Sequence, residues 1–174
     1  MKFHVEQMAK LSTIKGFLII LMAFLVLQSC NASRAAYQIE DYYISENGKE
    51  ILGTKPLNAF LFENNLKNLP FEQFLAVKYK LDNYLTRELW ITIDNNKYKL
   101  IIYDHLEFDK YFGTSNFAVV NQENIANIVG GQPKFIAISV INEFNEDCLS
   151  YKSIFQNVTI NYLRNLKNEY ISIK

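Results

Sequence analysis

His105 and Asp109 have residue types and a spacing that could support acid–base or metal chemistry. Side chains four residues apart lie on the same face of a helix, so the two would be neighbours if this stretch is helical. One histidine and one carboxylate are fewer than the three or four protein ligands of a usual zinc site. We therefore predict no metal site here and interpret the pair as a solvent-exposed helix face.

Cys148 is a candidate nucleophile because it precedes the predicted last helix, and a thiol at a helix N-terminus can have a lowered pKa. A Cys148–His105 pair could act as nucleophile and base. The neighbouring Glu146 and Asp147 oppose this role, since negative charges disfavour a thiolate. The sequence also lacks a glycine-rich phosphate loop and a G-x-S-x-G motif. We predict a half-buried structural cysteine, no catalytic residue and no cofactor.

The composition limits the function classes that are possible. The chain has 174 residues, 49% of them hydrophobic, and 18 basic side chains balance 18 acidic ones. That length suits one domain with a sizeable core, and the apolar content argues against disorder. Balanced charge argues against a nucleic-acid-binding protein, which usually carries a basic excess or stripe.

The N-terminal region has the layout of an export signal. Residues 1–15 contain three lysines and one glutamate, and an unbroken apolar run follows from Phe17 to Leu27. A helix of that length spans only about half of a bilayer's hydrocarbon core, so we do not predict a permanent membrane-spanning helix. A basic start, a short apolar middle and small residues at the end are typical of a signal peptide.

Leu27-Gln28-Ser29-Cys30 resembles the lipobox of bacterial lipoproteins. The resemblance implies that residues 1–29 are a signal peptide cleaved between Ser29 and Cys30. It also implies that Cys30 carries a diacylglyceryl group on its sulfur and an acyl chain, such as palmitate, on its new amino group. Residues 30–36 would then be the lipidated cysteine and a short tether. Two or three acyl chains make a stable membrane anchor.

The same resemblance implies a location in the cell envelope, lipid-anchored and facing the periplasm. Asn31 stands where an aspartate often marks retention in the inner membrane, which favours the outer membrane. An alternative stays open at this point: if Cys30 is not processed, an oxidising compartment could join it to Cys148 in a disulfide.

The sequence after the tether predicts two β-hairpins. Residues 37–54 predict a hairpin turning at Asn47-Gly48, with Ile44 opposite Ile51. Residues 88–103 predict a second hairpin around a two-residue loop at Asn95-Asn96. That loop would place Ile91 opposite Leu100 and the apolar residues of both strands on one face.

Further elements predict an α+β fold. Residues 135–141 are apolar on both faces, as expected of a central strand, and residues 114–120 predict a weaker strand. Helices are predicted over 70–85, 104–112 and 149–167. We therefore expect a single domain, residues 37–174, with an antiparallel or mixed sheet built from two hairpins and a central strand, and helices mainly on one face.

The aromatic residues Trp90, Tyr103 and Tyr43 could lie on a part of the sheet that the helices leave uncovered. Tyr and Trp are common anchors at protein interfaces and also stack on sugars; alternatively they complete the edge of the core. We expect a non-enzymatic lipoprotein whose domain binds an envelope protein. The alternatives are an immunity-type inhibitor of a periplasmic toxin, a binder of envelope glycan or apolar ligands, and an enzyme using His105, Asp109 and Cys148.

Overall fold

A computed structural model of the chain describes residues 36–51, 55–120 and 132–173. The elements in these ranges are β1 Tyr37–Gln38, β2 Tyr43–Ser45, β3 Ala59–Glu63, α1 Phe71–Tyr79, β4 Glu88–Ile93, β5 Asn96–Ile102, α2 His105–Phe112, a 3-10 turn Thr114–Asn116, β6 Phe117–Ala118, β7 Phe135–Asn142 and α3 Gln156–Ser172. This arrangement confirms the α+β class. The predicted signal helix, Ser29 and Cys30 lie outside the described residues. Within these ranges, no helix combines the length and the apolarity needed to cross a bilayer.

Five strands form an antiparallel sheet in the order β2-β3-β7-β5-β4. The predicted central strand is confirmed, because β7 pairs with a strand on each side and all eight of its residues are buried. Strands β1 and β6 pair in parallel as a separate two-stranded sheet. The predicted strand over 114–120 is shorter than expected, since only Phe117 and Ala118 extend and a 3-10 turn precedes them.

Each face of the large sheet is covered by different elements. Alternate residues of a strand point to opposite faces, and in β3 Phe60 and Phe62 join one core cluster whereas Ala59 and Leu61 join another. The first cluster contains buried residues of α1 and α3, and the second contains those of α2. Two of the three described helices therefore cover the same face, as predicted.

The β4–β5 hairpin has the predicted faces but not the predicted register. Its two-residue turn lies at Asp94-Asn95, where φ is 49° and 64°, as a type I′ turn requires. Ile91 consequently opposes Tyr98 rather than Leu100. The prediction was wrong by two residues, and a shift of two keeps every side chain on its original face, so the hydrophobic alternation could not detect it.

The first predicted hairpin is wrong. Strand β2 pairs with β3, so that Ile44 opposes Phe60 instead of Ile51. Neither Asn47 nor Gly48 has a positive φ, which the predicted turn would need. Gly48 serves a different purpose: its N–H donates to Leu57 O at 2.8 Å, in a close backbone contact on the way into β3.

Two of the predicted helices differ in extent from the structure. Helix α1 ends at Tyr79 because Lys80 adopts the left-handed conformation and the N–H of Leu81 donates to Ala76 O at 2.8 Å, a Schellman-type end. Leu85, predicted to pack, is 74% exposed. Helix α3 begins at Gln156 instead of Leu149, so residues 149–155 form a loop.

Helix α2 is confirmed with its predicted bounds. The Asp104 carboxylate accepts hydrogen bonds from the N–H groups of Leu106 and Glu107, and the Glu107 side chain accepts from the N–H of Asp104. This reciprocal arrangement is a capping box, and Gly113 ends the helix. The caps are local, which is why the sequence alone predicts this helix well.

Gly48 provides a test of its own close contact with Leu57 and Tyr103. An added Cβ atom would lie 2.5 Å from Leu57 O and 2.7 Å from the Tyr103 hydroxyl. We expect Gly48→Ala to lower the free energy of unfolding by about 1–3 kcal/mol because the backbone must shift. Urea unfolding would measure it, with the exposed Asn47→Ala as the control, for which the change should stay within about 0.5 kcal/mol. Equal stability of the two variants would contradict this packing.

Candidate functional site

His105 and Asp109 make no hydrogen bond to each other in the structure, and Asp109 bonds instead to the turn after α2. Both are exposed on α2, at the rim of a depression of about 270 Å³. The Asp109 carboxylate accepts a hydrogen bond from the N–H of Thr114 at 3.0 Å, which lowers its pKa and stabilises the turn after the helix. Among residues 36–51, 55–120 and 132–173, no group of three or more His, Cys, Asp or Glu side chains could hold a metal ion.

Cys148 has the surroundings of a structural residue. It is fully buried in the core cluster on the α1 and α3 face, more completely than predicted, whereas His105 lies on α2 at the opposite face. Burial, together with the charges of Asp147 and Glu146, raises the pKa of the thiol to about 12. The fold therefore does not bring the Cys148–His105 dyad together, and the thiol stays protonated.

The three aromatic residues predicted to share a surface are separated. Tyr103 is buried, and its hydroxyl contacts Ser139 Oγ and accepts from the N–H of Lys49, both at 2.8 Å. Its prediction as a surface residue is wrong, since the helix α2 face of the sheet is covered. Trp90, 53% exposed, and Tyr43 lie on β4 and β2, the two edge strands of the sheet. Four strand spacings, about 19 Å, separate those edges.

A more prominent apolar surface lies in the connection between β7 and α3, residues 143–155, which we call the β7–α3 loop. Phe144 is 81% exposed, Tyr151 71% and Ile154 89%. Phe144 and Tyr151 border a groove of about 650 Å³, whose opposite wall includes Pro56 and Leu57. Ile154 borders an adjoining depression that shares several residues with the groove. The three side chains thus border two depressions that have Glu146, Asp147, Ser150 and Lys152 in common.

The Asn142 side chain holds the first part of the β7–α3 loop. Its Oδ1 accepts from the N–H groups of Phe144 and Glu146 at 2.9 and 3.0 Å, and its Nδ2 donates to Glu146 Oε2 at 2.6 Å. Asn145 takes a φ of 60°, which an asparagine tolerates more readily than most residues. The turn that presents Phe144 is therefore built from several local hydrogen bonds.

Asp147 and the start of α3 hold the second part of the loop. The Asp147 carboxylate accepts from the N–H groups of Asn58 and Leu149, both at 2.8 Å; burial raises the pKa of this carboxyl, and the two amides act in the opposite direction. Gln156 Nε2 donates to Leu149 O at 3.0 Å, and Thr159 Oγ1 donates to Cys148 O at 2.9 Å. The loop is fixed at both ends, although it has no regular secondary structure.

Charged residues of both signs surround the apolar side chains of the loop. The groove is bordered by Glu46, Glu146 and Asp147 and by Lys55 and Lys152. The ammonium group of Lys152 lies 5.3 Å from the ring centroid of its neighbour in the loop, Tyr151. Exposed apolar side chains with a charged rim are the composition of a protein-interaction surface.

Sequence reasoning missed this surface. Tyr151 and Ile154 fall within the helix predicted over 149–167, where Tyr151 fits the apolar period, and Phe144 belongs to none of the predicted elements. The sequence does contain a signal for the exposure of Phe144. It is the one apolar residue in the polar stretch Asn142-Glu-Phe-Asn-Glu-Asp, whereas a core residue usually has other apolar residues near it in the sequence. The exposure of Tyr151 and Ile154 depends on where α3 begins, which the periodicity alone did not determine.

The protonated state of Cys148 predicts its reactivity. We expect iodoacetamide to leave Cys148 of the native protein unlabelled at about pH 8.5, where an ordinary thiol is half ionised, and to label this residue after unfolding in urea. Burial raises the pKa of the Cys148 thiol from 9.0 to about 12. The contribution of the protonated thiol to the free energy of unfolding is therefore complete below pH 9 and is lost as the pH rises through the folded pKa. Mass spectrometry would measure the labelling; fast modification of the native thiol would contradict the structural role.

Comparisons with protein-family models, curated proteins and solved structures found no match to this chain. The function must therefore be inferred from the residues themselves. In the described part of the chain, the β7–α3 loop combines the two most exposed large apolar side chains, Ile154 and Phe144, with a groove and a fixed backbone, and we take it as the candidate functional site.

Proposed function

We propose that this protein is a membrane-anchored lipoprotein of the bacterial cell envelope, facing the periplasm, whose domain binds a protein partner through the β7–α3 loop. The observation that carries the proposal is the exposure of Phe144, Tyr151 and Ile154 on a loop that internal hydrogen bonds hold in place. Contiguous exposed apolar side chains with a polar rim are typical of interaction sites.

The form of the surface favours a protein over a small ligand. Small-molecule sites are usually enclosed pockets that bury most of the ligand, whereas Phe144 and Ile154 project outward with four-fifths or more of their surface exposed. Aromatic and large aliphatic side chains that project in this way can enter pockets of a partner and become the main contributors to affinity. Because the loop is already ordered, binding would cost little conformational entropy.

The lipid anchor in this proposal rests on the resemblance of Leu27–Cys30 to a lipobox. Asp41 connects the start of the domain to α3, because its carboxylate pairs with Lys167 and with Arg164 and its carbonyl accepts from Lys167 Nζ at 3.2 Å. Ala36 comes six positions after Cys30, a span of at most about 22 Å. A lipid on Cys30 would keep the domain close to the bilayer.

The interaction surface can be tested by placing a photo-crosslinking amino acid at Phe144 in cells. We expect one dominant covalent adduct of defined mass, and no such adduct when the probe replaces Leu106, which is also largely exposed (68%) but lies on α2. With the captured protein purified, Phe144→Ser and Ile154→Ser should each raise the dissociation constant by about tenfold or more, as for a central interface residue.

Leu106→Ser is the matched control, since it also removes an exposed apolar side chain but should leave the affinity unchanged. Circular dichroism would confirm that all variants fold. Adducts of the same mass at Phe144 and Leu106, or an affinity that Phe144→Ser and Ile154→Ser do not change, would contradict a partner site on the β7–α3 loop.

The anchor can be tested separately with Cys30→Ala. We expect the wild-type chain in the membrane fraction, and released by detergent, because two or three acyl chains anchor stably. The Cys30→Ala variant should stay unprocessed or become soluble, whereas Cys148→Ala should fractionate like the wild type. Metabolic labelling with a palmitate analogue should mark the wild type and the Cys148→Ala variant alone. Identical fractionation and labelling of all three would contradict the lipobox interpretation.

A further inference from the structure

Strand β4 is an edge strand whose outer backbone groups face away from the sheet. Ile93 and Asn96 flank the two-residue turn and form a hydrogen-bonded pair, so Ile93 and every second residue before it bond to β5. Arg87, two residues before Leu89, continues this alternation, because its carbonyl accepts a hydrogen bond from the N–H of Ile102 on β5 at 2.8 Å. The N–H and C=O groups of Glu88, Trp90 and Thr92 therefore point outward, and within the described residues they have no partner.

This edge has few of the features that usually prevent strand pairing, since Glu88, at its first position, is its one charged residue. Residues 89–93 of β4 contain no proline and no charged residue, and their pairing with β5 is continuous, without a bulge. Trp90, in the middle, is 53% exposed. Natural proteins normally protect such an edge with a charge, a proline or a bulge, because it is a template for another strand. The opposite edge of the sheet, β2, is only three residues long.

We propose that β4 pairs antiparallel with β4 of a second copy of this chain, about a two-fold axis at Trp90. The two Trp90 residues then form a hydrogen-bonded pair with their side chains side by side, and Glu88 lies opposite Thr92 of the second copy. The two five-stranded sheets join into one continuous sheet. Dimers with two-fold symmetry are the commonest oligomers of soluble proteins.

Charge favours this register over its neighbours. An axis at Ile91 would pair as many strand residues but would place Glu88 opposite Asp94 of the second copy, and an axis at Glu88 would oppose two glutamates. Like charges directly across a strand pair are destabilising. With the axis at Trp90, Glu88 faces Thr92 of the second copy, whose neighbour on β5 is Lys97.

Lys97 can then contribute an attractive interaction across the axis. In the single chain it makes only a loose surface contact, 3.7 Å from Glu143, in which both side chains are more than half exposed. In the proposed pair it lies one strand beyond Thr92, on the side of Glu88 of the second copy. That carboxylate already pairs with Lys99 of its own chain at 2.5 Å, and Lys97 would add a second lysine to it. The edge is thus complementary in charge to itself, which identifies a second copy as its occupant. The proposal does not depend on the β7–α3 loop.

Cysteine crosslinking of the full-length chain tests the register. Residues in a hydrogen-bonded antiparallel pair have Cα atoms about 5.5 Å apart, within the range of a disulfide. Trp90→Cys should therefore give a covalent dimer on mild oxidation. Thr92→Cys should not give this dimer, because the Thr92 residues of the two copies are four residues apart along the paired strands, a distance of about 14 Å. Mixing Glu88→Cys with Thr92→Cys should restore crosslinking. Equal dimer yields for all single variants would overturn the register.

Sedimentation of the detergent-extracted protein tests the association itself. The wild type should sediment as a dimer, and Trp90→Lys should raise the dissociation constant of the dimer about tenfold or more, because it puts two like charges on the axis. Val77→Lys, at an exposed position on α1, should leave it unchanged. Phe144→Ser should also remain dimeric, which separates this result from the proposed partner site.

A monomer at every concentration would overturn the proposal. So would a Trp90→Cys crosslink to a protein other than this chain, because the edge would then serve a different strand. Thermal melting of Trp90→Lys and Val77→Lys should show similar stability, which excludes misfolding as the reason for a lost dimer.

Discussion

The burial of β7 on both faces is the constraint on which the rest of the structure depends. Its even-numbered residues Ile136, Ile138 and Val140 belong to the core under α1 and α3, whereas Phe135 and Ala137 belong to the core under α2 and Ile141 to a smaller cluster with Leu57 and Ile101. A strand that is covered on both faces cannot tolerate an unsatisfied polar group. Ser139 meets this condition because its Oγ contacts the Tyr103 hydroxyl at 2.8 Å and donates to Asn58 O at 2.7 Å.

Asn58 links the buried strand β7 to the candidate site through two hydrogen bonds. Its carbonyl accepts from Ser139 in β7, and its N–H donates to the Asp147 carboxylate in the β7–α3 loop. The segment before β3 is therefore held between the centre of the sheet and the loop, and Gly48 lets the backbone approach at that point. The exposed Phe144 and Tyr151 lie on a backbone that the core positions indirectly, which is what an interface with pre-ordered side chains requires.

Sequence reasoning predicted the features that local chemistry determines and missed those that depend on distant residues. The caps of α2 and the apolar composition of β7 are encoded within a few residues, and both were correct. In the β4–β5 hairpin, alternation determines which face each residue occupies but not a shift of two, so Ile91 was paired with Leu100. Asn47-Gly48 has a strong turn signal, yet the pairing of β2 with β3 and the contact of Gly48 with Leu57 override it.

The exposed apolar residues were missed for a related physical reason. Pattern reasoning assigns an apolar side chain to the core whenever a helical period accommodates it, as it did for Leu85 and Tyr151, because burial is the usual outcome. Both became exposed when the real helix boundaries fell elsewhere. Such residues gain nothing for the stability of the single chain and leave apolar surface in water. The boundaries of α1 and α3 therefore decide which apolar side chains of this chain reach the surface.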